Sequence, residues 1–355
     1  MNRTFSSETR IVWVDVCRLL CAFLIVLGHC SPIVAGDRVA RLGEWFVSYL
    51  FFAHNALGDS RVFAFYVLAG AFITFRSGVW MNGKRFFFLA SSFLCWNVLG
   101  EIIFHFALGT PRYAWEPSAL FTAMGGVPFQ HSAMGAMWFL KYLCIFSLFA
   151  PCLCRLSPPV RLSLAMFAIL FGSAHFHWTG ADDGLANEAV IGFGFFVIGT
   201  CLKEVGIARF AAGLGKAAPL ILSGGTAFSV LILLGQPQVP VSTYAMRSVL
   251  GVLFLFSVCL MAERFFPCFS ARVASMGKAA FFIYAYHCIP IAILEAHPVD
   301  LGGFSFLWPC LIFFVGLFLY VCIARFVPVL LPILCLEKRK KPARTICPPL
   351  FAKNS

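Results

Sequence analysis

The 355-residue chain is 61% hydrophobic and only 12% charged, and its mean hydropathy is +0.88. Soluble domains contain about 45–50% apolar and about 25% charged residues, so this composition excludes a soluble globular protein and indicates a multi-span membrane protein. The net charge of +12 could suggest a nucleic-acid partner. In a membrane protein it has a simpler cause, because Lys and Arg accumulate in the cytoplasmic loops, so we expect no such partner.

The first apolar segment, residues 11–31, contains three ionisable residues, Asp15, Arg18 and His29. It is long enough to cross a bilayer, which takes about 20 residues. Asp15 and Arg18 are three positions apart and share a helix face, whereas His29 lies about three turns, roughly 16 Å, beyond Arg18 on that face. Charges inside a span usually face a partner or an aqueous cavity. The pattern fits a site reached from both sides of the membrane, and also a snorkelling Arg18 with an interfacial His29.

Later hydropathy peaks complete a pattern of about ten transmembrane helices. Residues 45–61 are too short and too interrupted to cross, which predicts a re-entrant or interfacial segment before helix two. The predicted spans are residues 11–31, 62–75, 86–108, 137–153, 160–176, 189–203, 213–234, 246–262, 279–296 and 305–334. The fold class is therefore an all-α polytopic membrane protein, with residues 1–336 as one transmembrane domain and residues 337–355 as a basic cytoplasmic tail.

Basic residues orient these spans. With both termini in the cytoplasm, most basic residues fall on the cytoplasmic side, and five arginines fall outside: Arg38, Arg41, Arg61, Arg112 and Arg247. This is the bias that the positive-inside rule predicts. A separate span at residues 45–53 would reverse every later loop and remove the bias. The basic stretch 337–344 would also attract anionic membrane lipid, as a topology anchor.

The first span carries the candidate catalytic pair. His29 is the candidate general base, because a neutral imidazole accepts a hydroxyl proton near neutral pH. Arg18, paired with Asp15, is the candidate that neutralises an anionic donor. The sequence contains neither a Walker-type phosphate loop nor a serine nucleophile elbow. Direct transfer from donor to acceptor is therefore the simpler hypothesis.

Basic, aromatic and histidine side chains elsewhere are candidate substrate-binding residues. Lys84 and Arg85, at the cytoplasmic entry to the third span, are either ordinary topology signals or a clamp for phosphates. Tyr284 and His287 lie one turn apart in the ninth span, where helix packing and a site role are equally compatible with the pattern. Trp138 is typical of an aromatic belt at the membrane interface and is also a candidate contact for substrate.

No metal site is predicted. His175 and His177 lie two positions apart, but no third ligand is evident near them. Most of the 15 cysteines lie in apolar segments, where a free Cys behaves as a small hydrophobic residue.

Six segments carry motifs in a fixed order: DVCRLLCAFLIVLGH (15–29), FYVLAGAFITF (65–75), KRFFFLASSFLCW (84–96), MWFLKYL (137–143), FGFFVIGTCL (193–202) and MGKAAFFIYAYHCIPI (276–291). Together they resemble the acyltransferase-3 family of integral membrane O-acyltransferases. The chain departs from that pattern at Ala69 and at Ala279–Ala280, where the family has serine. It also lacks the second arginine and the proline that the family often places after the basic entry to helix three.

The resemblance implies transfer of an acyl group, commonly acetyl, from cytoplasmic acyl-CoA to a hydroxyl of a sugar, glycan or lipid-linked acceptor. It implies acetyl-CoA as a donor substrate and no bound cofactor. It also implies that Arg18 and His29 are the essential pair, and that Lys84 and Arg85 approximate the basic motif of the third helix. The expected location is the bacterial inner membrane.

A secondary transporter or exporter of a glycan or small solute is the alternative. Many spans with intramembrane charges and a Gly-interrupted second helix fit that class as well. Transporters often show repeated halves, however, and the sequence shows no internal repeat.

Overall fold

The computed structural model describes residues 11–30, 59–72, 79–109, 134–179, 184–234, 241–297 and 307–336. In these ranges the regular secondary structure is helical throughout, which confirms the all-α class. The α-helices are α1 (Val12–His29), α2 (Ser60–Ala71), α3 (Val79–Leu108), α4 (Trp138–Leu153), α5 (Pro158–Thr179), α6 (Gly184–Val205), α7 (Ile207–Leu234), α8 (Val241–Phe265), α9 (Pro267–Ser275), α10 (Ala280–Tyr286), α11 (Cys288–Ala296), α12 (Trp308–Phe326) and α13 (Leu331–Cys335). Short 3₁₀ turns lie at Gly135–Met137, Gly277–Ala279 and Pro328–Leu330.

Several of these helices are long and apolar enough to cross a membrane. Within the described ranges there are five such segments: Val12–His29, Phe86–Ala107, Tyr244–Phe265, Gly277–Ala296 and Trp308–Phe326. The number rises to six if α6 and α7, which are bent by 105° at Gly206, form one span. Helices α2 and α4 and the first part of α5 are apolar but shorter. The chain is thus a multi-pass membrane protein by length and composition.

The count of about ten spans is not confirmed, although each of the ten predicted segments overlaps a described helix. The cytoplasmic placement of both termini stays a prediction. Residues 45–58 of the predicted re-entrant segment and the tail 337–355 lie outside the described ranges.

Several predicted boundaries differ from the structure, and two of the differences matter most for the fold. Helix α3 begins at Val79 rather than at residue 86. The last predicted span, 305–334, is broken: α12 ends at Phe326, and a 3₁₀ turn and α13 follow. The physical reason for the break is that Pro328 and Pro332 provide no backbone N–H for a continuing helix.

Helix α13 is held against α3 by hydrogen bonds to its backbone. The hydroxyl of Ser92 donates to the carbonyl of Ile333 at 2.6 Å. The indole nitrogen of Trp96 donates to the carbonyl of Leu334 at 3.2 Å. Both donors are buried, so these bonds fix where the chain goes after α12.

The segment Gly277–Ala296 runs parallel to α1. At one end of α1, a side chain added at Gly277 would lie 2.6 Å from the Cβ of Asp15. At the other end, the ring of His29 lies beside that of His287. We call these two regions of α1 the Asp15 end and the His29 end.

Helix α2 runs antiparallel to α1. Its first turn reaches the His29 end, because Arg61 donates a hydrogen bond to the carbonyl of Leu24. Its last residue is followed by Phe72, whose ring lies under the guanidinium of Arg18 at the Asp15 end. Each end of α1 is therefore in contact both with α2 or the residue that follows it and with the segment Gly277–Ala296.

Helices α2 and α6 cross with their backbones in direct contact. A Cβ added at Gly70 would collide with the carbonyl oxygen of Phe196, and one added at Gly199 would collide with the carbonyl oxygen of Val67. Both glycines belong to segments that resemble family motifs. Their role in this chain is to let two helices approach more closely than side chains allow.

Candidate active site

The Asp15 end of α1 presents an oriented cation. The Nη1 atom of Arg18 lies 3.3 Å from the Oδ1 atom of Asp15. The centre of the Arg18 guanidinium also lies 5.3 Å from the ring centroid of Phe72. The side chain of Arg18 is 35% exposed, so a second anion has access to it. A guanidinium held by a carboxylate and an aromatic ring is well suited to bind phosphate or carboxylate groups.

The His29 end presents two imidazoles. The ring centroids of His29 and His287 are 5.2 Å apart. His29 is exposed, whereas His287 is completely buried. The Nδ1 atom of His287 lies 2.5 Å from the carbonyl oxygen of Tyr284. Because that oxygen only accepts hydrogen bonds, Nδ1 carries the proton and Nε2 is left as an acceptor.

A break in the ninth predicted span positions His287. Helix α10 ends at Tyr286 and α11 begins at Cys288, so His287 stands at the junction. Pro290 has no N–H to offer the carbonyl four residues earlier, which weakens the helix at this point. The local geometry turns the imidazole back toward its own helix and fixes its orientation beside His29.

Tyr284 has a structural role in addition to any contact with substrate. Its side chain is buried, and its hydroxyl donates to the backbone carbonyl of Ala136. Its ring packs against Phe65 and Phe139, with centroid distances of 6.3 and 5.5 Å. Tyr284 therefore ties α10 to the chain just before α4, close to the histidine pair.

The remaining predicted site residues do not join this group in the described structure. Trp138 is half-buried and packs near Tyr66 and Tyr142, at centroid distances of 6.5 and 6.2 Å. Lys84 and Arg85 belong to helix α3 rather than to a preceding loop. Their side chains lie outside the described part of the chain, so their predicted phosphate contacts stay a prediction.

Arg61 differs from the sequence-based expectation in its surroundings. The sequence predicts an arginine in a loop outside the membrane, whereas the structure places Arg61 in the first turn of α2 with only 5% of its surface exposed. Its Nη1 atom donates to the carbonyl of Leu24 at 2.8 Å. A side chain at Gly28 would collide with the guanidinium. Its position directly before the apolar run 62–75 is the only signal that the sequence offers.

Polar side chains surround the start of α2 near this arginine. The hydroxyl of Tyr244 donates to Oδ2 of Asp59 at 2.9 Å, and the guanidinium of Arg247 lies 4.9 Å from the Tyr244 ring centroid. The hydroxyl of Ser60 donates to the carbonyl of Ser248. These contacts join α2 to α8 and give the His29 end a polar border.

The comparison with known protein families covers most of the chain. Residues 11–328 match the acyltransferase domain of the acyltransferase-3 family. This match includes all six segments that resemble family motifs. No curated protein and no solved structure matches the chain. With its helical membrane architecture and a domain match over most of its length, the chain belongs to the acyltransferase-3 family of membrane acyltransferases.

Proposed function

We propose that the protein transfers an acyl group, in the simplest case acetyl, from acyl-CoA at the cytoplasmic side to a hydroxyl of a sugar, glycan or lipid-linked acceptor. The observation that carries this proposal is the arrangement of α1. An accessible cation lies near one end, at Arg18, and a pair of imidazoles lies at the other. Arg18 and His29 share one face of the helix and are separated by roughly 16 Å.

The donor is proposed to bind at the Asp15 end. Acyl-CoA carries its negative charges on phosphates, and arginine is the side chain that best matches a phosphate with paired donors. Arg18 is oriented by Asp15 and by the ring of Phe72. Lys84 and Arg85, near the start of α3, are proposed as further phosphate contacts. In this arrangement the thioester lies away from the phosphates, toward His29.

The transfer is proposed to occur at the His29 end. The acceptor hydroxyl gives its proton to the imidazole of His29 as its oxygen bonds to the acyl carbon. The carbon–sulfur bond then breaks, and the sulfur leaves with the electron pair and takes up the proton. His287, buried and fixed by the carbonyl of Tyr284, supports this reaction by holding its ring beside that of His29. The exposed side of His29 admits the acceptor.

The test is release of free CoA from acetyl-CoA by the purified protein, with glycan and membrane extracts as acceptors. We expect turnover by the wild type and losses of at least about a hundredfold in Arg18→Ala and His29→Ala. Matched controls are Arg155→Ala and His297→Ala, because Arg155 and His297 are exposed at other helix ends. Both controls are expected to retain turnover. Full turnover by His29→Ala would remove His29 as the base.

One observation favours a transporter as the second candidate. Helices α6 and α7 meet at Gly206 with a bend of 105° and a φ of +87°, and broken helices line substrate sites in many secondary transporters. The same assay separates the two functions, because acyl transfer proceeds in detergent whereas transport needs two compartments. Tight binding of a glycan without any release of CoA would favour the transporter.

A further inference from the structure

We propose that Arg61 stabilises the oxyanion that forms on the acyl group when the acceptor hydroxyl attacks it. This inference rests on the proposed acyl-transfer function and adds a third residue to the reaction. The reasons are the burial of Arg61, its fixed position at the His29 end, and the charge that it keeps there.

The guanidinium of Arg61 is fixed by the last two turns of α1. Its Nη1 atom donates to the carbonyl of Leu24, and it occupies the space that a side chain at Gly28 would take. Gly28 is thus the position on α1 that admits the cation. The C-terminal end of a helix carries a partial negative charge, which favours a cation at this place.

Arg61 packs against one face of the last turn of α1, and His29 projects from the neighbouring face of that turn. Successive residues of a helix point about 100° apart, so Gly28 faces Arg61 while His29 faces His287. An acyl group that binds at His29 on the side of Gly28 would therefore meet the guanidinium of Arg61. Arg61 is the cation on the α2 side of that position.

The hydrogen-bond partner of Arg61 carries no charge and does not neutralise the guanidinium. Leu24 offers a backbone carbonyl and takes one of the five N–H groups of the guanidinium, so the cation can donate to a further oxygen. A full cation in a site of low dielectric stabilises a developing negative charge much more strongly than it would in water.

The proposed step is balanced as follows. The hydroxyl oxygen bonds to the carbonyl carbon, the π electron pair moves to the carbonyl oxygen, and the proton moves to His29. Arg61 donates a hydrogen bond to that negatively charged oxygen. The C=O bond then re-forms, the C–S bond breaks, and the thiolate takes the proton from His29 to become the CoA thiol.

The experiment compares turnover of acetyl-CoA by Arg61→Met, Arg61→Lys and Gly28→Ala per amount of folded protein. We expect Arg61→Met to lower kcat by about 10²–10³, with the KM for acetyl-CoA changed by less than about threefold. Arg61→Lys should restore part of the loss, because it keeps the charge. Gly28→Ala keeps Arg61 in the sequence, but the added methyl group displaces the guanidinium. This variant should lower kcat by up to about a hundredfold.

Arg161→Met is the matched control for loss of a buried arginine. Arg161 is 1% exposed and paired with Glu204 between α5 and α6. Its removal should reduce the folded fraction, measured by size-exclusion chromatography, but leave kcat per folded molecule unchanged. A kcat of Arg61→Met within about threefold of the wild type would overturn the inference and leave the proposed function standing. Absence of CoA release by the wild type would remove the proposed function and this inference together.

Discussion

Replacing Gly199 with alanine should destabilise the protein by separating α2 from α6. The added Cβ would collide with the carbonyl oxygen of Val67 and would lie 2.9 Å from the backbone nitrogen of Ala71. Carbon atoms in good contact are about 3.5–4.0 Å from their neighbours. The helices must therefore move apart by roughly an ångström or more, because backbone atoms cannot rotate away as a flexible side chain does.

Overpacking of this kind costs typically about 1–3 kcal/mol. Since both collisions at Gly199 involve the backbone of α2, we expect a value near the upper limit, about 3 kcal/mol. That corresponds to a change of somewhat more than a hundredfold in the ratio of folded to unfolded protein. At about 2–4 °C for each kcal/mol, the midpoint of thermal unfolding should fall by at least about 5 °C.

The assay is thermal unfolding in detergent, followed by the loss of the monodisperse size-exclusion peak. Gly213→Ala is the matched control, because Gly213 lies inside α7 and a Cβ there would meet nothing within 4 Å. Its midpoint should stay the same or rise slightly, since alanine favours a helix by up to about 1 kcal/mol over glycine. Equal midpoints for Gly199→Ala and Gly213→Ala would refute the close crossing of α2 and α6.

The double variant Gly70→Ala/Gly199→Ala gives a second test of the same contact. Gly70 lies opposite Gly199, and the Cα of Gly199 is 3.1 Å from the position of a Cβ at Gly70. Once one alanine has separated the helices, the second should cost less, so the two free-energy losses should not add. Simple additivity would indicate that the two glycines do not share one contact.

Two further predictions concern hydrogen bonds that hold elements near the site. Tyr284→Phe leaves the buried carbonyl of Ala136 without its hydroxyl partner and should lower stability by about 1–3 kcal/mol, measured by thermal unfolding; an unchanged midpoint would contradict the contact. Trp96→Phe removes the bond to the carbonyl of Leu334 and should increase limited proteolysis near α13 several-fold, corresponding to about 1 kcal/mol. An unchanged cleavage rate would show that α13 is held by other means.

The helical class and the polar character of α1 follow from the sequence because they depend on local patterns. Hydropathy predicts the helices, and a spacing of three residues predicts the pairing of Asp15 with Arg18, which the structure contains at 3.3 Å. The break after Phe326 was also visible in principle, since Pro328 interrupts the predicted span. A run of apolar residues around it obscured the boundary.

The His29 end was less predictable because it depends on contacts between distant segments. No local pattern shows that His287 lies beside His29, since the two belong to the first and the ninth predicted spans. The burial of Arg61 was not predictable, because a charge at the edge of an apolar run usually marks a loop. Only the packing of α2 against Gly28 reveals that the guanidinium is buried.

The rigid pairing of α1 with the segment Gly277–Ala296 bears on the kind of donor that the site fits. Asp15 lies against Gly277 and His29 lies beside His287, so both ends of α1 are fixed to the same neighbouring segment. The roughly 16 Å between Arg18 and His29 is set by the rise of α1 and cannot shorten while α1 stays helical. A donor held by its phosphates at Arg18 must carry its reactive carbonyl far from those phosphates. Acyl-CoA has this form, because a long flexible arm separates its phosphates from the thioester.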